Sequence, residues 1–122
     1  MGSLSERQIA TAVGVWSQLA LERRPLRPEV VEQFRERLTK FLTDPPPRLG
    51  FDGVHLATEV TPDPTLALAW ELAGVAVVGH TLLPWYHQTR FVDGGVELRR
   101  GKDAAWEPVP LIEDPGSPET NA

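Results

Sequence analysis

Cysteine is missing from this chain altogether. Disulfides, thiolate nucleophiles and cysteine-ligated zinc are therefore excluded. Long apolar runs are missing too. No stretch approaches the roughly 18 apolar residues that a membrane-spanning helix needs. The first residues lack a basic segment followed by an apolar core, which is the signature of a secretory signal. A soluble, cytoplasmic protein with no membrane partner is the expectation. No phosphate-cradling glycine loop, dinucleotide fingerprint, nucleophile elbow or HExxH pattern is present. No cofactor is expected, and an enzyme is not the first reading.

Positive charge is scarce in the later part of the chain. Residues 1–50 carry 8 Lys+Arg against 6 Asp+Glu, whereas residues 51–122 carry 4 against 11. From Asp103 onward there are acids and no base. Phosphate neutralisation needs clustered cations, so nucleic-acid binding through the second half is disfavoured.

What is present has ordinary globular proportions, with 41% hydrophobic and 24% charged residues in 122. One domain over 1–112 is expected, followed by an acidic disordered tail, 113–122. The fold class expected is α+β: an N-terminal helical hairpin, a small antiparallel sheet with a C-terminal β-hairpin, and a third, buried helix.

The stretch from Gly74 to Gly101 organises the rest. Asp93-Gly94 sits between two alternating runs and predicts a type I′ hairpin turn, which needs positive φ at both central residues. A two-residue loop sets Phe91 against Val96 and Thr89 against Leu98 on one face. It sets Arg90 against Glu97 on the other. The strands are expected over 86–92 and 95–100. A lone hairpin is marginal, so a third strand or a helix must cover its inner face.

Residues 5–24 predict a helix. Ser5 and Gln8 have capping-box spacing, with Leu4 and Ile9 placed as the staple. Ile9, Val13, Trp16 and Leu19 recur at helical spacing and make Trp16 a core residue. Gly14 inside this helix suggests close packing against a neighbour. Pro25 stops the helix and Pro28 opens the next, over 28–43, with an apolar stripe from Val30 to Leu42. Arg23, Arg24 and Arg27 lie at the corner between them. They could contact phosphates in a helix-turn-helix arrangement, but the charge-balanced outer face of the second helix favours a solvated corner.

Asp44-Pro45-Pro46-Pro47 ends that helix in an expected polyproline II spacer. Phe51-Asp52-Gly53 reads as a turn, and 54–60 alternate as a strand. Asp63 is placed as N-cap of a helix over 65–73, ended by Gly74. This segment is apolar nearly all round, so it is expected to cover the hairpin's inner face or form a subunit interface. Glu71 within it would then need a partner such as Arg90 or Arg99. Beyond the hairpin, Trp106 is expected to hold a proline-broken extended segment against the body.

Three site readings follow. Trp85, Tyr86, His87 and Trp106 form a candidate aromatic interaction surface. His55, His80 and His87 are an alternative metal set, with Asp52 and Glu59 flanking His55 as an acid/base option. Arg23, Arg24 and Arg27 are the nucleic-acid alternative.

The order from Leu66 to Val109 resembles a pattern found in small proteins of actinobacteria and their phages. The positions that carry it are Ala73-Gly74, Leu83-Pro84-Trp85, Gly94-Gly95, Val96-Glu97-Leu98 and Ala105-Trp106-Glu107. The chain departs from it at Lys102-Asp103, where the pattern has Gly and Tyr. The resemblance implies a phage or actinobacterial origin and no activity. The expected function is a non-catalytic protein-interaction or accessory role, that of a phage-encoded protein binding a host or virion protein, with a protein partner or self-association. A nucleic-acid-binding regulator and a small histidine-metal enzyme are the alternatives.

Overall fold

The computed structural model describes residues 4–23, 25–58, 63–75 and 86–112. Among these residues are three α-helices and one four-stranded antiparallel sheet, an α+β arrangement with two helices leading.

Helix α1 spans Glu6–Arg23. Its start is the expected capping box. Gln8 N–H donates to Ser5 Oγ at 3.0 Å, and Ser5 N–H donates to Gln8 Oε1 at 3.0 Å. Leu4 packs on the core that holds Ile9. The amide of Gln8 has a second task that its spacing did not suggest. Its Nε2 donates to the carbonyls of Val92 and Gly95, at 2.8 and 3.0 Å, and so pins the helix start to the hairpin turn.

Helix α2 spans Pro28–Thr43, with Pro28 in its first turn. Both ends fall where the proline positions put them. Phe34, Leu38 and Leu42 are its buried stripe. The polyproline expectation holds only to Pro46, which is extended at φ −65° and ψ 131°; Pro47–Leu49 then turn into a short 3₁₀ helix closed by Gly50 at φ +70°. The fixed φ of proline suits a first helical turn as well as an extended one, and Pro47 takes the former role.

Strand β1 is His55–Ala57, shorter than the expected 54–60; Thr58 continues the pairing through its bonds to His87, and 59–62 lie outside the described residues. Helix α3 spans Pro64–Leu72, capped by Asp63, whose carboxylate accepts from Thr65 N–H at 2.8 Å. Gly74 ends it at φ +93°.

Strands β2 (His87–Val92) and β3 (Gly95–Arg100) form the hairpin in the expected register, with Phe91 opposite Val96, Thr89 opposite Leu98 and Arg90 opposite Glu97. The turn is not type I′. Gly94 takes φ +70°, but Asp93 is not among the residues with positive φ. Strand β4, Glu107–Val109, pairs with β3 at the sheet edge, in the order β1-β2-β3-β4. Pro108 sits within it, which an edge strand tolerates.

The sheet has two unlike faces, because successive side chains alternate. Leu56, Thr58, Thr89, Phe91, Val96 and Leu98 are buried on the inner face. That face meets α1, whereas α3, expected to cover it or to form a subunit interface, packs chiefly on α2. α1 packs against β3 and α2. Phe34 of α2 and Trp70 of α3 stack with ring centroids 3.7 Å apart and planes within 8°. α3 is buried on one side only, through Thr65, Leu66, Ala69 and Trp70; Glu71 is exposed and Leu72 is 46% exposed. Glu71 thus has no burial to compensate, and Arg90 pairs instead with Glu97. Gly14 also departs from expectation. A Cβ built there meets nothing within 4 Å, so among the described residues no neighbour packs close to it.

Candidate functional site

The outer face of the sheet is where the aromatic and charged residues gather. His55 and Ala57 of β1, Gln88 and Arg90 of β2, and Glu97 and Arg99 of β3 share it, and all are half-buried. Their register follows from the hairpin. His55 stands opposite Arg90, Ala57 opposite Gln88, Gln88 opposite Arg99, and Arg90 opposite Glu97.

Trp106 lies over this face from the segment that leads into β4. The Arg90 guanidinium is 4.0 Å from the centre of its ring, and the Arg99 guanidinium is 5.1 Å away. Arg90 is also held by Glu97, with Nε donating to Oε1 at 2.7 Å. Arg99 Nη2 donates to Gln88 Oε1 at 2.8 Å. Each guanidinium is thereby held within reach of the indole ring, a favourable cation–π arrangement.

Tyr86 is the second ring on this face. It precedes β2 with φ +59°, an uncommon conformation for a non-glycine residue, and Lys102 Nζ lies 5.6 Å from its ring centre. Ala57, Thr58, Tyr86, Gln88, Arg99 and Lys102 line a cavity of about 380 Å³ here. Among the described residues its lining holds two cations and no carboxylate.

Of the four residues expected to form the aromatic surface, Tyr86 and Trp106 share the outer face. His87 has the parity of Thr89 and Phe91 and points to the opposite side, with its backbone bonded to Thr58. Trp85 lies outside the described residues. Arg90 and Arg99 were not expected as part of the surface. The signal was available: both fall on the non-core side of the predicted hairpin register.

The metal set does not assemble from the described residues. His55 is on the outer face and His87 on the inner one, so the two cannot share an ion, and His80 lies outside the described residues. Among the described residues no three of His, Cys, Asp and Glu converge. His55 is instead part of a turn. Its ring Nδ1 lies 2.9 Å from Asp52 Oδ2, while Asp52 Oδ1 accepts from the backbone N–H groups of Val54 and His55 at 2.8 and 2.7 Å. Desolvation pushes the Asp52 carboxyl up, but these hydrogen bonds outweigh it and hold its pKa below the ordinary value. Glu59, the other flanking acid, lies outside the described residues.

The arginine corner has helix-end geometry. Arg23 closes the last turn of α1, and Arg27 is the extended N-cap of α2, whose carbonyl accepts from Val30 and Val31. Both are exposed, and Arg24 lies outside the described residues. Among the described residues no helix is long and apolar enough to cross a membrane. Neither the family models nor the curated proteins searched match this chain.

Proposed function

We propose that the protein is a cytoplasmic, non-catalytic binding module that holds a segment of another protein against the outer face of its sheet. The observation that carries this reading is the pair of rings, Trp106 and Tyr86, set on one half-open face, each against a cation. Tryptophan, tyrosine and arginine dominate the energetics of protein interfaces; the two rings offer large area with few rotamers, and arginine offers a planar fork of donors. Here Arg90, Arg99 and Trp106 are already ordered by one another, so less freedom is lost on binding.

Two further features support a binding role over a catalytic one. Among the described residues the two carboxylates whose pKa is displaced, Asp52 and Asp63, are both occupied by backbone N–H groups as turn and cap acceptors. The net charge of −5, and the pairing of Arg90 with Glu97, weigh against a nucleic-acid strand as the occupant. A role as an accessory protein, phage-encoded or not, is compatible with such a surface.

The test is selection of random linear peptides on the full-length protein, with counter-selection on a Tyr86→Ala/Trp106→Ala double variant. Peptides that bind the wild type and lose roughly tenfold or more on Trp106→Ala alone are the expected result. Enrichment of peptides indifferent to both substitutions would contradict it. So would a dimer in light scattering that the double variant dissociates, since the face would then belong to a second copy.

A further inference from the structure

The cavity beside Tyr86 points to a more specific chemistry, and this rests on the binding face described above. We propose that the space lined by Tyr86, Gln88, Arg99 and Lys102 is a carboxylate site that receives an Asp or Glu side chain of the bound protein segment.

Charge is the main argument. The chain as a whole is acidic, at −5, yet among the described residues this cavity is lined by two cations and no acid. Among the described residues neither Arg99 nor Lys102 is paired with a carboxylate; the ion pairs present are His55–Asp52 and Arg90–Glu97. Arg99 Nε is buried with no acceptor among the described residues. Its Nη2 is satisfied only by the neutral amide of Gln88. Among the described residues the positive charge of Arg99 is therefore held in place but not neutralised, and Lys102 adds a second one at the rim.

Size and valence decide the ligand class. About 380 Å³ is within the range of pockets that accept a small group. A carboxylate accepts charge-assisted hydrogen bonds from an ammonium and a guanidinium at once. One of the two cations is already engaged with Gln88 and Trp106, which suits a singly charged group better than a phosphate dianion. The ring of Tyr86 supplies an apolar wall for the methylenes of the incoming side chain. The same protein segment could then lie across the sheet toward Trp106.

The site can be probed directly, without knowing the partner. Isotope-labelled full-length protein is titrated with the blocked peptide acetyl-Ala-Glu-Ala-amide, with its Gln counterpart, and with inorganic phosphate, all at constant ionic strength. Saturable shifts of the Gln88, Arg99 and Lys102 amides with the Glu peptide, and none with the Gln peptide, are expected. Lys102→Met keeps the stem of an exposed side chain and should weaken the Glu peptide roughly fivefold, with the rest of the spectrum unchanged. Absence of saturable shifts, equal shifts with the Gln peptide, unchanged affinity in Lys102→Met, or a response to phosphate alone would each overturn the site. If peptides selected on the sheet face still depend on Trp106 while this titration fails, only the carboxylate site falls and the binding face stands.

Discussion

The indole Nε1 of Trp16 donates a 2.9 Å hydrogen bond to Oγ1 of Thr89, tying α1 to β2 across the core. Both residues are buried, at 0% and 1% exposure. The bond fixes where the helix sits on the inner face, and thereby which face of the sheet is left for function. Thr89→Val keeps the shape and removes the acceptor. It should cost about 1–3 kcal/mol, because the indole N–H is left buried and unpaired. Trp16→Phe should cost less in the Thr89→Val background than in the wild type, since no N–H remains to be orphaned. Urea unfolding of the four proteins measures this coupling.

Gln8 serves two structures with one amide. Gln8→Glu keeps the acceptor that caps Ser5 but places a carboxylate against the carbonyls of Val92 and Gly95. A loss of about 1–3 kcal/mol is expected from the unmatched acceptors. Ser5→Ala removes only the cap and should cost about 1 kcal/mol. If the two variants lose the same amount in denaturant unfolding, the tie to the hairpin contributes nothing.

Gly14 occupies a helical position with open space where a side chain would be. Gly14→Ala should stabilise the protein by about 1 kcal/mol through helix propensity alone. Thermal unfolding should show a rise in Tm of about 3–6 °C. A fall would mean that the backbone at Gly14 is approached more closely than the structure shows.

Asp63 gives a pH dependence with a definite sign. Burial raises its carboxyl pKa above the ordinary 3.8, against the lowering effect of its bonds from Thr65. The folded state therefore holds the proton more tightly than the unfolded chain. The ionised group opposes folding at neutral pH, and this opposition fades as pH falls through the raised value toward the ordinary one. Asp63→Asn keeps a cap acceptor without the charge. Its stability relative to wild type should be highest near pH 7 and should decline as the solution is acidified through that window. Asp52 has the opposite sign, losing its contribution at low pH, but it is common to both proteins and its effect largely cancels in the comparison. A difference that grows on acidification would contradict the assignment.

Much of this fold is written locally. The capping box at Ser5 and Gln8, the proline at the start of α2, the Asp63 cap and the Gly74 stop all depend on residues within a few positions. Each formed as expected. The hairpin register was legible because only one pairing puts Phe91 with Val96 and Arg90 with Glu97. What was not legible depends on contacts distant in sequence. An apolar α3 could have covered the sheet, but stacking of Trp70 on Phe34 draws it to α2. Glu107–Val109 pairs as a strand because β3 offers it an edge, although Pro108 disguises the pattern. Trp106 looked like an anchor for the chain that follows. Its neighbours proved to be Arg90 and Arg99, which only the sheet brings together.

If the outer face binds a protein segment, amide shift changes mapped while a peptide selected on the protein is bound should be largest at Gln88, Arg90, Glu97, Arg99, Lys102 and Trp106, with α2 unmoved. Changes concentrated on the exposed side of α2, or at the Arg23 and Arg27 corner, would contradict it.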